Sequence, residues 1–405
     1  MTVLDVPLVA ERARRLRAEV VELLAAHPGA DTADRAADRR LREARYDTGL
    51  AFVHLAPGRG GRGFEPELQA LVEGEFLAAG CADWSARNII GLGMAAPTLV
   101  AHGTPGLIER LLRPLFTGEE VWCQLFSEPG AGSDLAALST RAEREGDGWR
   151  VSGQKVWTTL GHVARRGLLL ARTDPEQPKH RGLTCFALDM DAPGVEVRPL
   201  RQITGETEFN EVYLTDVLVP DADRIGDVGA GWRVAMTTLA NERVSLGAHV
   251  VERGEGPVAL ALQVAAKRDL TAGEVDELVR VWSRAEAVRL TNLRAAQAAT
   301  AGVPGPEGSV AKLTMAETNK AVYALCVDLL GEDGLFIDSY AETAPDEAAV
   351  HGGSDPVRAW LRSIANSVEG GTSEVQRNII GERVLGLPPE PRLDKDRPWS
   401  QVPRS

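Results

Sequence analysis

The chain has 405 residues, 44% hydrophobic and 25% charged, with 45 basic against 58 acidic side chains for a net charge of −13. That length exceeds what one hydrophobic core usually fills, so two or three sub-domains are expected. The acidic balance argues against nucleic acid as a partner, and neither a secretion signal nor a run of about 20 apolar residues is present, so a cytoplasmic location off the membrane is expected.

Residues 1–120 read as a helical domain. Leu16, Val20, Leu23 and Leu24 recur at helical spacing, as do Leu68, Leu71, Val72, Phe76 and Leu77. His27-Pro28-Gly29 and Ala56-Pro57-Gly58 supply breaks. Gly58-Arg-Gly-Gly-Arg-Gly63 fits the string GxGxxG, but Pro57 and the helical surroundings leave no strand before it, so a dinucleotide-binding turn is rejected.

Residues 121–225 change texture. Short β-branched and aromatic runs begin at Trp149, Lys155, Gly167, Leu183, Val195 and Asn210, with turns such as Asp147-Gly148 and Ala192-Pro193-Gly194 between them. Closely spaced strands of this kind predict an antiparallel barrel or sandwich. Over residues 226–388 the helical period returns, with Val275, Leu278, Val279, Trp282 and Ala285 on one apolar face and a further helix over 309–330. Residues 389–405, rich in Pro and charge, predict a disordered tail. Cys81, Cys123, Cys185 and Cys326 form no CxxC pair, and no metal-ligand set is expected.

Four segments carry chemistry. Leu125-Phe-Ser-Glu-Pro-Gly-Ala-Gly-Ser-Asp134 ends a strand in a glycine-rich turn, where the backbone can approach a ligand and the hydroxyls of Ser127 and Ser133 can bind it. On these grounds alone a plain structural turn is the commoner outcome. Gly153-Gln-Lys-Val-Trp-Thr-Thr159 sets an indole beside hydroxyls, which suits a flat heteroaromatic ring, although a lone Trp is more often core. Thr238-Leu-Ala-Asn-Glu-Arg-Val-Ser-Leu246 puts Glu242 and Arg243 on a helix, either as a solvated pair or as a working carboxylate. In Val368-Glu-Gly-Gly-Thr-Ser-Glu374, two glycines allow a bend and Thr372 can cap the next helix.

Together these segments resemble the acyl-CoA dehydrogenase family over about residues 10 to 388. The resemblance implies an α+β fold with an N-terminal helical domain, a middle β-domain and a C-terminal four-helix bundle. It implies FAD, bound by Gln124, Phe126, Ser127, Gly132, Ser133, Trp157, Thr158, Thr159, Gly371, Thr372 and Glu374. Ser133, Arg243 and Gly370 would meet the substrate, an acyl-CoA or acyl-carrier-protein thioester. An α-proton would pass to a carboxylate and electrons onward to an electron-transfer flavoprotein. Members of the family carry the base either on the helix, where Glu242 matches, or immediately before Gly-Thr, where this chain has Gly370 and Glu369 falls one place earlier. Glu242 is therefore preferred and Glu369 held in reserve.

A second departure concerns the cofactor. The family's Arg-x-x-Phe-Gly segment is replaced near Lys267-Arg268-Asp269-Leu270, and its glycine-rich Gln segment by Asp328-Leu-Leu-Gly-Glu-Asp-Gly334. Both remove FAD contacts expected across a homo- or hetero-oligomeric dimer of dimers, and they leave open a cofactor-sharing partner subunit. A flavin monooxygenase on the same scaffold is a further alternative. Only 6 of the 45 basic residues are Lys, which suggests a GC-rich bacterial source.

Overall fold

A computed structural model of the chain describes residues 6–28, 34–81, 87–247, 251–300, 307–346, 355–391 and 394–402. Helices come first: α1 (Val6–Ala26), α2 (Arg35–Asp47), α3 (Leu68–Ala78), α4 (Ala96–His102) and α5 (Pro105–Thr117). Thr104 and Asp34 cap α5 and α2 by accepting from Leu107 N and Ala36 N, the usual satisfaction of first-turn amides. Eight strands follow: β1 (Trp122–Leu125), β2 (Arg141–Glu145), β3 (Gly148–Thr159), β4 (Arg166–Arg172), β5 (Leu183–Asp189), β6 (Val195–Pro199), β7 (Phe209–Pro220) and β8 (Arg224–Ile225). Helices close the chain: α6 (Gly231–Gly247), α7 (Pro257–Ala265), α8 (Ala272–Thr300), α9 (Glu307–Leu330), α10 (Pro356–Ser363) and α11 (Ser373–Arg383). The α+β class is thus observed.

The sheet is mixed rather than purely antiparallel. Its order is β6-β7-β3-β2-β4-β5-β8, and β1 pairs with β4 off that path. The β1–β4 and β2–β4 pairings are parallel and the other five antiparallel. β1 and β4 are joined by a long excursion through β2 and β3, and only such a connection lets two strands run the same way.

Both faces of the sheet are covered, which explains the apolar run of β4. Leu168 and Leu170 point to a core shared with Leu111 and Leu115 of α5 and Val234 of α6. Leu169 and Ala171 point to the opposite core with Val151, Phe186 and Val212. The side-chain period of two divides one sequence run between two cores. A third core gathers round α9, with Val281, Val322, Cys326, Leu329 and Ala359.

Two further expectations need correction. On α8 the inward side is set by Leu278 and Val281, while Val275 and Val279 are 45% and 55% exposed. The apolar stripe is wider than the face α9 covers, so its edge stays outside. The tail expected to be disordered is packed over 394–402: Trp399 is only 8% exposed, and its indole N–H donates to Ala137 O at 3.1 Å. One buried indole outweighs the polar composition around it. Among the described residues, no helix is long and apolar enough to cross a membrane.

Candidate functional site

The turn after β1 is closed in both directions, Glu128 N to Ala131 O at 3.1 Å and Ala131 N to Glu128 O at 3.0 Å. Beneath it lies a buried ion pair. Lys155 Nζ on β3 donates to Glu128 Oε1 at 2.8 Å and to the carbonyls of Phe126 and Leu170 at 3.0 and 2.8 Å. Glu128 also accepts from Ser139 N and Thr140 N at 2.7 and 2.9 Å. Burial alone would raise the Glu128 carboxyl, but Lys155 and these donors hold it down at about 2. Burial lowers the Lys155 ammonium, with Glu128 opposing the shift. The two glycine-rich segments thereby become one unit, to which Val156 N adds a bond to Ser127 O at 3.0 Å.

On this unit Gly132 and Ser133 are exposed, and Ser127, Gln124 and Thr159 are half-buried. Phe126 is 2% exposed, so its ring belongs to the core and its carbonyl to Lys155. β3 shifts register against β7 between Lys155 and Thr158, and at this bulge Trp157 takes a left-handed φ of 60°. A bulge re-aims one side chain: Trp157 is 60% exposed, with its ring edge-on to Phe209 at 5.9 Å. Thr158 Oγ1 is buried without a hydrogen-bond partner among the described residues.

The helical side supplies the carboxylates. Gly370 and Gly371 have φ of 62° and 91°, values that favour glycine, and Thr372 caps α11 by accepting from Val375 N at 3.2 Å. A Cβ built on Gly370 would stand 3.7 Å from Glu242 Oε1 and 3.6 Å from Lys312 Cε. Half-buried Glu242 on α6 therefore reaches the point toward which position 370 faces. Glu369 turns elsewhere. Its carboxylate is held bidentately by Arg362 at 3.1 and 3.0 Å and accepts from Asn366 Nδ2 at 2.7 Å. Glu374 is exposed and paired with Arg377 at 3.6 Å. Arg243 lies on α6, and its side chain is outside the described residues.

Arg362 joins the two halves. Its guanidinium lies 5.6 Å from the Phe209 ring and 3.8 Å from Glu208 while holding Glu369. Trp157, Phe209, Arg362 and Glu369 beside the glycine turn thus form one chain of contacts.

The residues fit a flat heteroaromatic group. Gly130 and Gly132 would have no atom within 4 Å of an added Cβ, the indole of Trp157 projects from the bulge, and Thr158 holds an orphaned hydroxyl beside it. Residues 123–217 match the family Acyl-CoA dehydrogenase, middle domain, and residues 229–385 match Acyl-CoA dehydrogenase, C-terminal domain. Acyl-CoA dehydrogenase IpdE1 of Mycobacterium tuberculosis is 39% identical over 84% of this chain and 86% of its own. The chain belongs to the acyl-CoA dehydrogenase family.

It is thus an oxidoreductase of that family. Acyl-CoA dehydrogenase FadE34 of M. tuberculosis is 40% identical over 93% of this chain, and the match spans 50% of FadE34's length. Among solved structures, the Tcur3481-Tcur3483 steroid ACAD superposes with a TM-score of 0.71 at 26% identity, covering 96% of this dehydrogenase and all of that chain.

Sequence reasoning missed Lys155, Glu128, Phe209, Arg362 and Lys312. Lys155 and Glu128 stand inside the two glycine-rich segments, where spacing does not reveal that a charge is buried. Arg362 sits seven residues before Glu369, outside any quoted segment.

Proposed function

We propose that this dehydrogenase oxidises an acyl thioester to its 2-enoyl form, with FAD as cofactor and Glu242 as the base that takes the α-proton. The observation that carries this reading is the approach of Glu242 Oε1 to the bare face of Gly370, at 3.7 Å from its Cβ position. The two base positions known for the family thereby converge on one place, and the carboxylate present there is Glu242. Glu369 is a poor candidate, because Arg362 and Asn366 already engage its oxygens.

Ser127, Ser133, Trp157, Thr159, Gly371 and Thr372 would hold FAD. When bound, FAD supplies the acceptor for the β-hydrogen, which leaves with its electron pair. The chain's own part is to orient the thioester, exclude water and hold the α-proton on Glu242. Electrons would leave to an electron-transfer flavoprotein in the cytoplasm. A steroid-derived acyl-CoA is the substrate class favoured by the steroid relative. Glu242→Gln is expected to retain flavin and slow its anaerobic bleaching by acyl-CoA by about 10²–10⁴-fold. Unchanged bleaching would remove Glu242 from the reaction.

A second reading concerns assembly. The cleft of about 620 Å³ bounded by Gln263, Lys267, Arg268, Leu330 and Asp333 lies where the family's cross-subunit FAD segments are replaced. This favours a heteromer in which a second subunit completes the cofactor site. The visible spectrum of the chain purified alone tests it: bound flavin supports self-sufficiency, whereas colour gained only on co-expression with a homologue supports sharing.

A further inference from the structure

Lys312 stands on α9 with only 6% of its surface exposed, and its ammonium is spent on backbone. Nζ donates to Asn366 O at 2.8 Å and to Gly371 O at 2.6 Å, on either side of the glycine turn. Neighbouring residues fasten the same turn: Asn319 Nδ2 donates to Asn366 Oδ1 at 3.2 Å, Ser373 Oγ to Glu317 at 3.2 Å, and Gln376 Nε2 to Gly370 O at 3.1 Å. The Lys312 Cε lies 3.6 Å from the Gly370 Cβ position, a point that is 3.7 Å from Glu242 Oε1.

We propose that Lys312 is the positioning residue of the acid–base centre: it locks the Asn366–Gly371 turn onto α9 and keeps a positive charge beside the Glu242 carboxylate. This rests on the reading of Glu242 as the base. Four carboxylates act on the ammonium through their charge: Glu369 from the turn, Glu242 from α6, Glu317 from its own helix and Glu374 from α11. Burial lowers the Lys312 ammonium and these carboxylates oppose the shift. A cation beside a carboxylate favours its ionised form, the form that can accept a proton.

The test compares Lys312→Met and Lys312→Arg in the FAD-loaded enzyme. Anaerobic flavin reduction by a steroid-side-chain acyl-CoA is followed across pH, and amide exchange is followed over residues 366–373. In Lys312→Met the acid limb of the reduction rate should move up by about one pH unit or more, and exchange across the turn should quicken. Lys312→Arg should return the acid limb toward wild type while exchange stays fast, because a planar fork cannot reproduce both carbonyl bonds. An unmoved acid limb in Lys312→Met overturns the electrostatic role, and unchanged exchange overturns the lock. Should Lys312→Met fail to fold, Lys312→Gln replaces it, and its limb must shift likewise. Failure of the base reading is separately visible as normal reduction in Glu242→Gln, with the exchange result unaffected.

Discussion

At the scale of single residues, the Glu128–Lys155 pair does the most to join the two flavin-candidate segments. Two charges at 5% and 0% exposure are costly to bury, and here each is offset by the other and by hydrogen bonds from or to the backbone. Removing one partner leaves the other stranded, so Lys155→Met should cost about 3–5 kcal/mol in chemical denaturation at neutral pH. Acid should act through Glu128. Its folded value, about 2, lies below the ordinary 4.5, so its stabilisation is complete above 4.5 and drains as pH falls through about 2. Acid unfolding followed by circular dichroism should show a loss in that window which Glu128→Gln lacks. Parallel curves for the two proteins would mean that the pair contributes nothing there. Neither charge could be recognised as buried from its position in the chain, because charged residues alternate with apolar ones on exposed strands as well.

Among elements, the C-terminal segment departs furthest from its composition. Trp399 lies under the Arg172 guanidinium, 4.4 Å from ring centre to carbon, and its backbone N–H donates to Gln177 O at 2.9 Å. Arg172 in turn donates to the carbonyls of Leu138 and Ala136 at 3.1 and 2.6 Å. Lys179 bridges Asp134, at 2.8 Å, to Asp394, at 2.6 Å. The segment therefore clasps the chain immediately after Ser133. Trp399→Ala should release it, raising amide exchange over residues 394–402 and 134–138 together while the sheet core stays protected. Exchange rising in the tail alone would show that the clasp does not restrain the turn. The helix of the glycine turn was more legible: Gly370, Gly371 and Thr372 announced a bend and a cap, and both are present. A cap is a local device, and local devices can be read from a few adjacent residues.

For the whole molecule, Arg362 is one of the contacts between the two parts, meeting Glu369 within the helical part and Glu208 and Phe209 of the β-domain. It links the Phe209 ring, on which Trp157 packs, to Glu369 beside the glycine turn. Arg362→Met should destabilise the fold by about 3–5 kcal/mol, since two carboxylates lose their shared cation. Lys at this position should recover only part of that loss, because a point charge cannot bind Glu369 bidentately. Thermal unfolding read separately by tryptophan fluorescence and far-ultraviolet circular dichroism checks this. Coincident, unshifted transitions in the Met variant would mean that Arg362 contributes nothing to the junction.

The sequence by itself determined the order of helices, strands and helices, since hydrophobic period and turn residues act over a few positions. It also marked Ser127, Trp157, Glu242 and the glycine turn, because these stand in short segments that resemble the family's. Only the tertiary structure decided that the sheet is mixed, that Val275 and Val279 face outward, that the tail is packed, and that Glu369 is held by Arg362 while Glu242 reaches Gly370. Each of those outcomes depends on what lies opposite a residue in space. Burial, ion pairing and the aim of a carboxylate are set by partners from seven to hundreds of positions away, and the chain order does not encode those contacts.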